Sequence, residues 1–567
     1  MDASLWKWTE PGPEVPVLAA ELGIPVPIAC VLANRKITDA AAARRFLYGT
    51  LDDLHDPFLM AGMAKAVERV FAAIEAGEII VVFGDYDADG ILAMVMLRKA
   101  LEKLGARVDH FIPERLRDGY GLKEGLIAVA EEKGARLVIS VDCGIKADGF
   151  VRRARDLGID VIVTDHHLPG PVRPEALAVL DPVLESSGYP DRRLAGVGVA
   201  YKLIQALFKR RGLEGDLPPY LKLVAIGTIS DVAALRGENR IMVSRGLKEL
   251  GGRHRPGLQS LIDVCRLTGK RITEGDVGFR IGPRINAAGR MGNTQLAVEL
   301  FFTEEKLRAA EIAGRLDQLN AKRQRAEDKI FAQAVEMIRS EDMERERILI
   351  LGHESWNRGI VGIVASRLKE AYTRPAIVFG YEDGKAYGSG RSIPEFSLID
   401  CLEECRDYFL SYGGHKYAVG CTIDLERLPD FRAEAARIAS SRITDEDLRR
   451  KVRIDAGIGF SDITPSFLET LALLGPFGVE NPRPVFLAEG AEIIGRPRKL
   501  KDSHVKFTVR HQGLLHQAIG WEKGEWFPKI EKIGPGDRVD IVFALQASTY
   551  LGKEELYLSL EAMRRSA

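Results

Sequence analysis

The stretch IIVVFGDYDADG, residues 79–90, restricts the fold of this chain more than any other segment. An apolar run (79–83) enters a turn bearing Asp85, Asp87 and Asp89, and an apolar, helix-like segment (91–97) follows. A short unbroken apolar run that ends in a polar turn before a helix is the pattern of a strand buried on both faces of a parallel sheet. The three aspartates have two readings. They form an acidic turn capping the next helix, or they surround cations, since carboxylates this close otherwise raise one another's pKa.

The segments that follow decide between these readings. Candidate strands at 107–112, 137–141, 161–164 and 177–180 alternate with helical patterns such as 122–133 and 150–157. That alternation predicts a mostly parallel sheet with helices on both faces. Ligands of such sheets sit beyond the carboxyl ends of the strands. Three of those ends lead into the 85–89 turn, into Asp142, and into Asp165-His166-His167. A solvated edge has no need of carboxylates and imidazoles from three separate strands, so the cation reading prevails. Asp231 closes the apolar helical run 221–230, as a helix-end cap or as a fourth acidic ligand.

Asp87, Asp89, Asp142, His166, His167 and Asp231 thus make a mixed carboxylate and imidazole set, a chemistry suited to Mn²⁺, Fe²⁺ or Zn²⁺. Two ions about 3.5–4 Å apart, bridged by a carboxylate, form a clamp for in-line attack on phosphorus. Asp142, alone at its strand end, is the natural bridge.

The rest of the 567 residues exceeds what one core can hold. Prolines punctuate residues 1–60, read as an extension packed on the first domain with no chemistry of its own. A long helix is expected over 303–345, solvated and joining two domains. A second α/β unit begins near 346, and its GGHKYAVG segment (413–420) reads as a glycine loop. The segment 473–486 reads as a linker. The short alternating strands after 485 fit a small barrel such as an OB-fold. In that tail the run Arg496, Arg498, Lys499, Lys501, Lys506 and Arg510, with Phe507 interleaved, is expected to track a phosphate backbone and stack a base; the plainer reading is a hairpin with lysine-protected edges. A net charge of −1 leaves phosphate affinity to such local clusters or to metals. Six scattered cysteines without a CxxC argue for a reducing compartment. With no basic-then-apolar start and no apolar run of membrane-spanning length, a cytoplasmic location is expected.

The motifs DYDADG, SVDCGI, TDHH and GTISD, in that order, resemble the DHH phosphoesterase superfamily. WNRGIVGIVASRL, GSGRS and GGHKYAVG resemble its associated second domain, and the barrel tail completes an arrangement similar to that of RecJ-type exonucleases, from about residue 35 to 565. The resemblance implies hydrolysis of single-stranded DNA from the 5′ end to mononucleotides, in repair and recombination, with two Mn²⁺ ions or Mg²⁺. It implies a single-stranded-DNA-binding protein and a RecQ-type helicase as partners. It makes Asp87, Asp89, Asp142, His166, His167 and Asp231 the metal and catalytic positions, with Asp85 behind them.

The expected fold class is α/β: a parallel-sheet DHH domain (61–300) follows the extension (1–60), and a connecting helix (301–345) leads to a DHHA1-type domain (346–445). A linker (446–484) and an OB-fold β-barrel (485–567) complete it. Since the chain stops after the barrel, no partner contact through a further module is expected. Arginine forks suit a terminal phosphate. Arg290, Ser389 and Arg391, with Arg115 of FIPERLRDGYG, are therefore expected to hold the 5′ phosphate, and Arg284 stands beside Arg290 around an Asn-Ala-Ala-Gly turn. Gly413, Gly414 and His415 are expected to line the nucleotide path. Two other functions compete: a DHH phosphodiesterase for short oligonucleotides or cyclic dinucleotides, which lacks the barrel, and a non-catalytic DNA-binding scaffold, which would have lost ligands that are all present here.

Overall fold

Strand β1 (Leu5–Trp8) runs parallel to Lys451–Ile454, with Leu5 opposite Lys451 and Trp8 opposite Ile454. Trp6 packs with Val452, Ile454, Leu487, Val542 and Ala562, and the Arg564 guanidinium lies 4.2 Å from its ring centroid. Asn34 donates its side-chain amide to the Asp455 carbonyl at 3.0 Å. The expected N-terminal extension is therefore divided: residues 1–47 belong with the C-terminal part of the chain, whereas Met60, with Leu51 and Leu54 against it, joins the core of the first domain as the sequence suggests. The strand of the extension satisfies its backbone groups, and its tryptophan its apolar surface, against the C-terminal part of the chain. The structure, a computed structural model, describes residues 4–114, 121–501, 503–550 and 553–566. Two units divide it: Tyr48–Arg325 with Pro476–Pro482, and Met1–Leu47 with Ala326–Gly475 and Arg483–Ala567.

The first unit holds a five-stranded, fully parallel sheet of β2 (Ile79–Gly84), β3 (Arg107–Phe111), β4 (Ala135–Val141), β5 (Asp160–Thr164) and β6 (Ala178–Leu180), in the order β3-β2-β4-β5-β6. One face packs on helices α1 (Ala88–Lys103) and α2 (Gly196–Arg211). The opposite face is covered by a second apolar cluster that includes Phe83, Ile127 and Phe150. Helix α3 (Leu221–Ser230) extends the first layer. The residues after Arg280 do not form a turn. A π-helical turn, Val277–Ile281, leads into helix α4 (Gly282–Arg290), which carries Arg284, Asn286 and Arg290. The expected linker is also partly docked. Leu235 donates its amide to the Val479 carbonyl at 2.9 Å, and Asn481 is fully buried.

Helix α5 (Lys306–Ser340) is the predicted long helix, but it is not merely solvated. Ile312, Ala313 and Leu316 belong to the core of the first unit, and Ile330, Ala334 and Ile338 are buried further along.

In the second unit β7 (Leu349–His353), β8 (Ala376–Glu382), β9 (Lys385–Arg391), β10 (Phe409–His415) and β11 (Ala418–Asp424) form a sheet in the order β10-β11-β9-β8-β7. GGHKYAVG is thus a β-hairpin, not a loop. The hairpin needs glycine at 414, where φ is +142° and a Cβ would lie 2.2 Å from the Ala418 carbonyl oxygen. Two short strands, β12 (Lys451–Ile454) and β13 (Ala456–Gly457), lead into β14 (Phe486–Leu500), β15 (His504–His511), β16 (Leu514–Gly520), β17 (Arg538–Tyr550) and β18 (Lys553–Arg565). The pairings β14–β15, β15–β16, β16–β18, β18–β17 and β17–β14 close a five-stranded barrel with a helix, Phe527–Ile533, between β16 and β17. This is the OB arrangement expected of the tail. Among the described residues no helix is long and apolar enough to cross a membrane, and all six cysteines are buried and free.

Candidate functional site

Parallel strands end their carboxyl sides on one edge, and that edge carries the aspartates. Asp87 caps α1: its carboxylate accepts from the Asp89 and Gly90 amides at 2.9 and 3.1 Å. The capping reading of the DYDADG turn is therefore correct for this residue, but only for one of its oxygens. Asp89, 1% exposed, accepts from the Gly196 and Val197 amides at 2.8 and 2.9 Å, so the N-terminus of α2 holds it in place. Asp142 follows β4 in a left-handed backbone conformation, φ 61°, one that aspartate adopts more readily than most side chains. Asp231 is the C-cap residue of α3, and its carboxylate lies 3.8 Å from His166 Nε2. Both sequence readings of Asp231, cap and member of the acidic set, describe its position.

His166 Nε2 is 3.0 Å from Asp142 Oδ1 and 3.9 Å from Asp89 Oδ2. Potential ligand atoms of Asp142, His166 and His167 lie within 4.8 Å of one another, as do those of Asp89, His166 and Asp231, and those of Asp85, Asp87 and Asp142. All six predicted residues thus come together with Asp85, and Asp142 and His166 each belong to two of the three groups. Close packing of the chain permits this. A Cβ at Gly196 would lie 2.4 Å from Asp142 Oδ1, and one at Gly227 would lie 2.8 Å from Asp89 Oδ1.

The electrostatics call for positive charge. Burial, followed by the charges of Asp89, Asp87, Asp231 and Asp85, pushes Asp142 well above the usual carboxylate range. Burial and the same neighbours, Asp89, Asp87 and Asp85, push Asp231 well up too. Asp89 is raised to about 7 by burial and Asp87, against the pull of the two α2 amides. His166 is lowered to about 4 by burial and by His167, so its ring is neutral near pH 7. Asp142 Oδ1 and His166 Nε2 are both buried without a hydrogen bond. Paired lone pairs, excess negative charge and a neutral imidazole in a dry place fit divalent cations.

Two supporting residues have no role assigned from the sequence, although one of them, Asp165, stands at a strand end named there. Asp165, fully buried, takes the Ile145, His166 and His167 amides and the His167 Nδ1 at 2.7 Å. Burial opposes its charge, yet the His167 hydrogen bond and charge hold its pKa below the ordinary value. His167 is raised in turn, since Asp165 outweighs the burial that disfavours its cation. Asn286 accepts the Ala88 amide at 2.7 Å, pinning the start of α1 to α4. The DHH triplet itself was the available signal for Asp165; nothing local marks Asn286.

The predicted phosphate residues divide. Arg115 lies outside the described residues. Arg284 is engaged within the first unit, its fork on Asp317 at 2.9 and 2.7 Å and its Nη1 on the Arg280 carbonyl. Arg290 ends α4, half-buried. In the second unit the β-sheet register aligns Gly413, Gly420 and Ser389 in one row, and His415, Ala418 and Arg391 two residues along, on the same face. Cβ atoms at Gly413 and Gly420 would meet nothing within 4 Å. Arg391 donates to Ser389 Oγ at 3.3 Å, and burial together with the Arg391 charge lowers the His415 pKa. The result is a side-chain-free patch of sheet bordered by a guanidinium, a hydroxyl and an imidazole, which suits an anion. In the barrel, Phe507 is 3% exposed and belongs to the interior. The expected base contact by Phe507 is therefore wrong. Alternation along β15 turns it inward with Val505 and Val509, while Lys506 faces out.

Comparison with known proteins agrees with this layout. Residues 79–228 match the DHH family N-terminal domain, residues 345–441 the DHHA1 domain and residues 454–562 the RecJ OB domain. The chain is 39% identical to the single-stranded-DNA-specific exonuclease RecJ of Bacillus subtilis, over 99% of this chain and 71% of that protein. It is 34% identical to the Escherichia coli protein of the same name, over 85% of this chain and 86% of that one. The crystal structure of RecJ from Thermus thermophilus in complex with Mn²⁺ superposes with a TM-score of 0.84 at 31% identity, covering all of this chain and 80% of that one. The corresponding Mg²⁺ complex gives 0.79 at 30% identity, covering all of this chain and 79% of that one.

Proposed function

The chain belongs to the RecJ family of single-stranded-DNA-specific exonucleases, and from that premise we propose that Asp87, Asp89, Asp142, His166, His167 and Asp231 hold two divalent ions, Mn²⁺ or Mg²⁺, that cut a DNA strand from its 5′ end. The protein is a metal-dependent single-stranded-DNA exonuclease. The observation that carries the site assignment is the buried convergence of these six side chains, with Asp142 and His166 shared between overlapping groups.

When bound, the ions lower the pKa of a water and neutralise charge on the phosphoryl oxygens. The chain's own residues keep the geometry. The α2 amides fix Asp89. Asp165 fixes the His167 ring and its tautomer, an outer contact of the kind that orients metal-ligating histidines. Burial keeps His166 neutral, with its lone pair available. Ser389, Arg391 and His415, beside the open backbone at Gly413 and Gly420, bind a phosphate of the strand, and Arg391 recognises the 5′ phosphate. Arg290 is a second phosphate contact. Arg284 supports α4 through Asp317 and acts on substrate only indirectly. The same reading extends to a single-stranded-DNA-binding protein and a RecQ-type helicase as partners and to the cytoplasm as compartment, which co-purification from cells would test.

End-labelled single-stranded DNA incubated with Mn²⁺ or Mg²⁺ tests the function. A 5′ label released at once as mononucleotide, with Asp142→Ala inactive, is the expected result. Cleavage confined to dinucleotide-sized substrates would instead support the phosphodiesterase alternative.

A further inference from the structure

The barrel's outward surface has no part in the chemistry described so far. On β15, alternation sends Val505, Phe507 and Val509 inward and leaves His504, Lys506, Thr508 and Arg510 outside. The register extends this outer face across the barrel. Lys506 lies opposite Arg498 of β14, and Thr508 opposite Gln517 of β16, which is itself opposite Tyr557 of β18. The pairing of Val505 with Gly520 brings His504 beside Trp521.

Trp521 is 41% exposed. Its ring centroid lies 4.9 Å from that of His504 and 6.2 Å from that of Tyr557, at interplanar angles of 71° and 73°. Neither neighbour is parallel to the indole, so both act as edge-on supports and neither is a stacked partner. The supports are themselves tied down. Tyr557 donates its hydroxyl to Gln546 at 2.6 Å, and Gln517 donates to Thr508 at 2.9 Å. A lone exposed tryptophan is ordinary on a protein surface. A tryptophan just past the third barrel strand is not, when two further rings frame it and Lys506 of the second strand, opposite Arg498 of the first, lies on the same outer face, because the second and third strands of this fold take oligonucleotides.

We propose that Trp521, braced by His504 and Tyr557, stacks an unpaired base of the DNA strand while Arg498 and Lys506 meet the neighbouring phosphates. This rests on the exonuclease reading for its substrate. Stacking on an indole accepts any base, so the contact adds affinity without sequence preference. It takes over the role that the sequence assigned to Phe507.

The test compares Trp521→Ala and Trp521→Phe with the unaltered chain, using oligothymidylate in EDTA, where hydrolysis is halted. Trp521→Ala is expected to weaken binding about tenfold, the scale of one lost base stack, and Trp521→Phe to restore most of it. Strand binding should quench tryptophan emission in the unaltered chain, and Trp521→Phe should remove most of that quenching although the other tryptophans remain. In the metal-loaded enzyme, the KM penalty of Trp521→Ala should be larger on a long strand than on a trinucleotide. Unaltered binding in Trp521→Ala, or a loss that phenylalanine does not rescue, would overturn the proposal. Because binding is read without turnover, such a failure is separable from a failure of the exonuclease reading, which would show as absent hydrolysis in the unaltered chain with metal.

Discussion

The acidic edge of the first unit and the glycine-rich sheet of the second prepare for opposite charges by opposite means. The acidic edge crowds aspartates into a dry place until several are pushed above their ordinary pKa, a state that a proton or a divalent cation relieves. The glycine-rich sheet removes side chains at Gly413 and Gly420, leaving open backbone beside Arg391, Ser389 and His415. One site is defined by what it concentrates, the other by what it leaves out. Substitutions should therefore act differently in the two places.

The largest effect is expected at the acidic edge. Asp142→Ala should reduce hydrolysis roughly 10³-fold or more, because it removes a carboxylate common to two of the candidate ligand groups. Single-turnover assays at saturating Mn²⁺ would measure this, and near-normal activity would break the contrast. Asp165→Asn should cost about 10–100-fold in metal affinity, since it frees the His167 ring. In the second unit, Arg391→Ala should reduce the preference for 5′-phosphorylated over 5′-hydroxyl strands about tenfold, through loss of a charge-assisted hydrogen bond. Competition between the two labelled strands would detect it.

A pair of glycine substitutions sharpens the contrast. Gly196→Ala would put a methyl 2.4 Å from Asp142 Oδ1, and should lower stability by about 1–3 kcal/mol together with metal affinity. Gly413→Ala meets open space, so its melting temperature should hold while KM for DNA rises. If both variants lose stability alike, the second patch is structural.

The smallest expected effect depends on pH. Folding raises Asp89 from 3.8 to about 7. The metal-free fold therefore binds a proton more tightly than the unfolded chain, and this contribution is full below the unfolded value. It is lost as pH rises through about 7, the folded value. Metal-free protein should thus melt lower at pH 8 than at pH 5 relative to Asp89→Asn, while the stabilisation by added Mn²⁺ should grow over the same interval.

Much of this site is legible in the sequence because a parallel sheet sends every strand end to one edge. Once the apolar runs before Asp85, Asp142 and Asp165 are read as parallel strands, their convergence follows. Asp231 is harder, since a cap and a ligand look alike until the end of α3 is seen beside His166. Glycine is the main source of error. In GGHKYAVG it signals a loop, whereas in the fold it opens the floor of a hairpin, and in NAAGR it signals a turn within what is helix α4. Spacing cannot separate glycine used for backbone freedom from glycine used for room. Phe507 was misplaced for a related reason: basic residues interleaved with an aromatic mark a strand, but only the closed barrel shows which side of it faces inward.

In the proposed mechanism, side chains from distant segments hold two ions in one centre. Calorimetric titration of the metal-free protein with Mn²⁺ tests it most directly, with circular dichroism to confirm that each variant is folded. Two ions per chain are expected, with both high-affinity events lost in folded Asp142→Ala. A single ion, or two ions bound unchanged by Asp142→Ala, would contradict it.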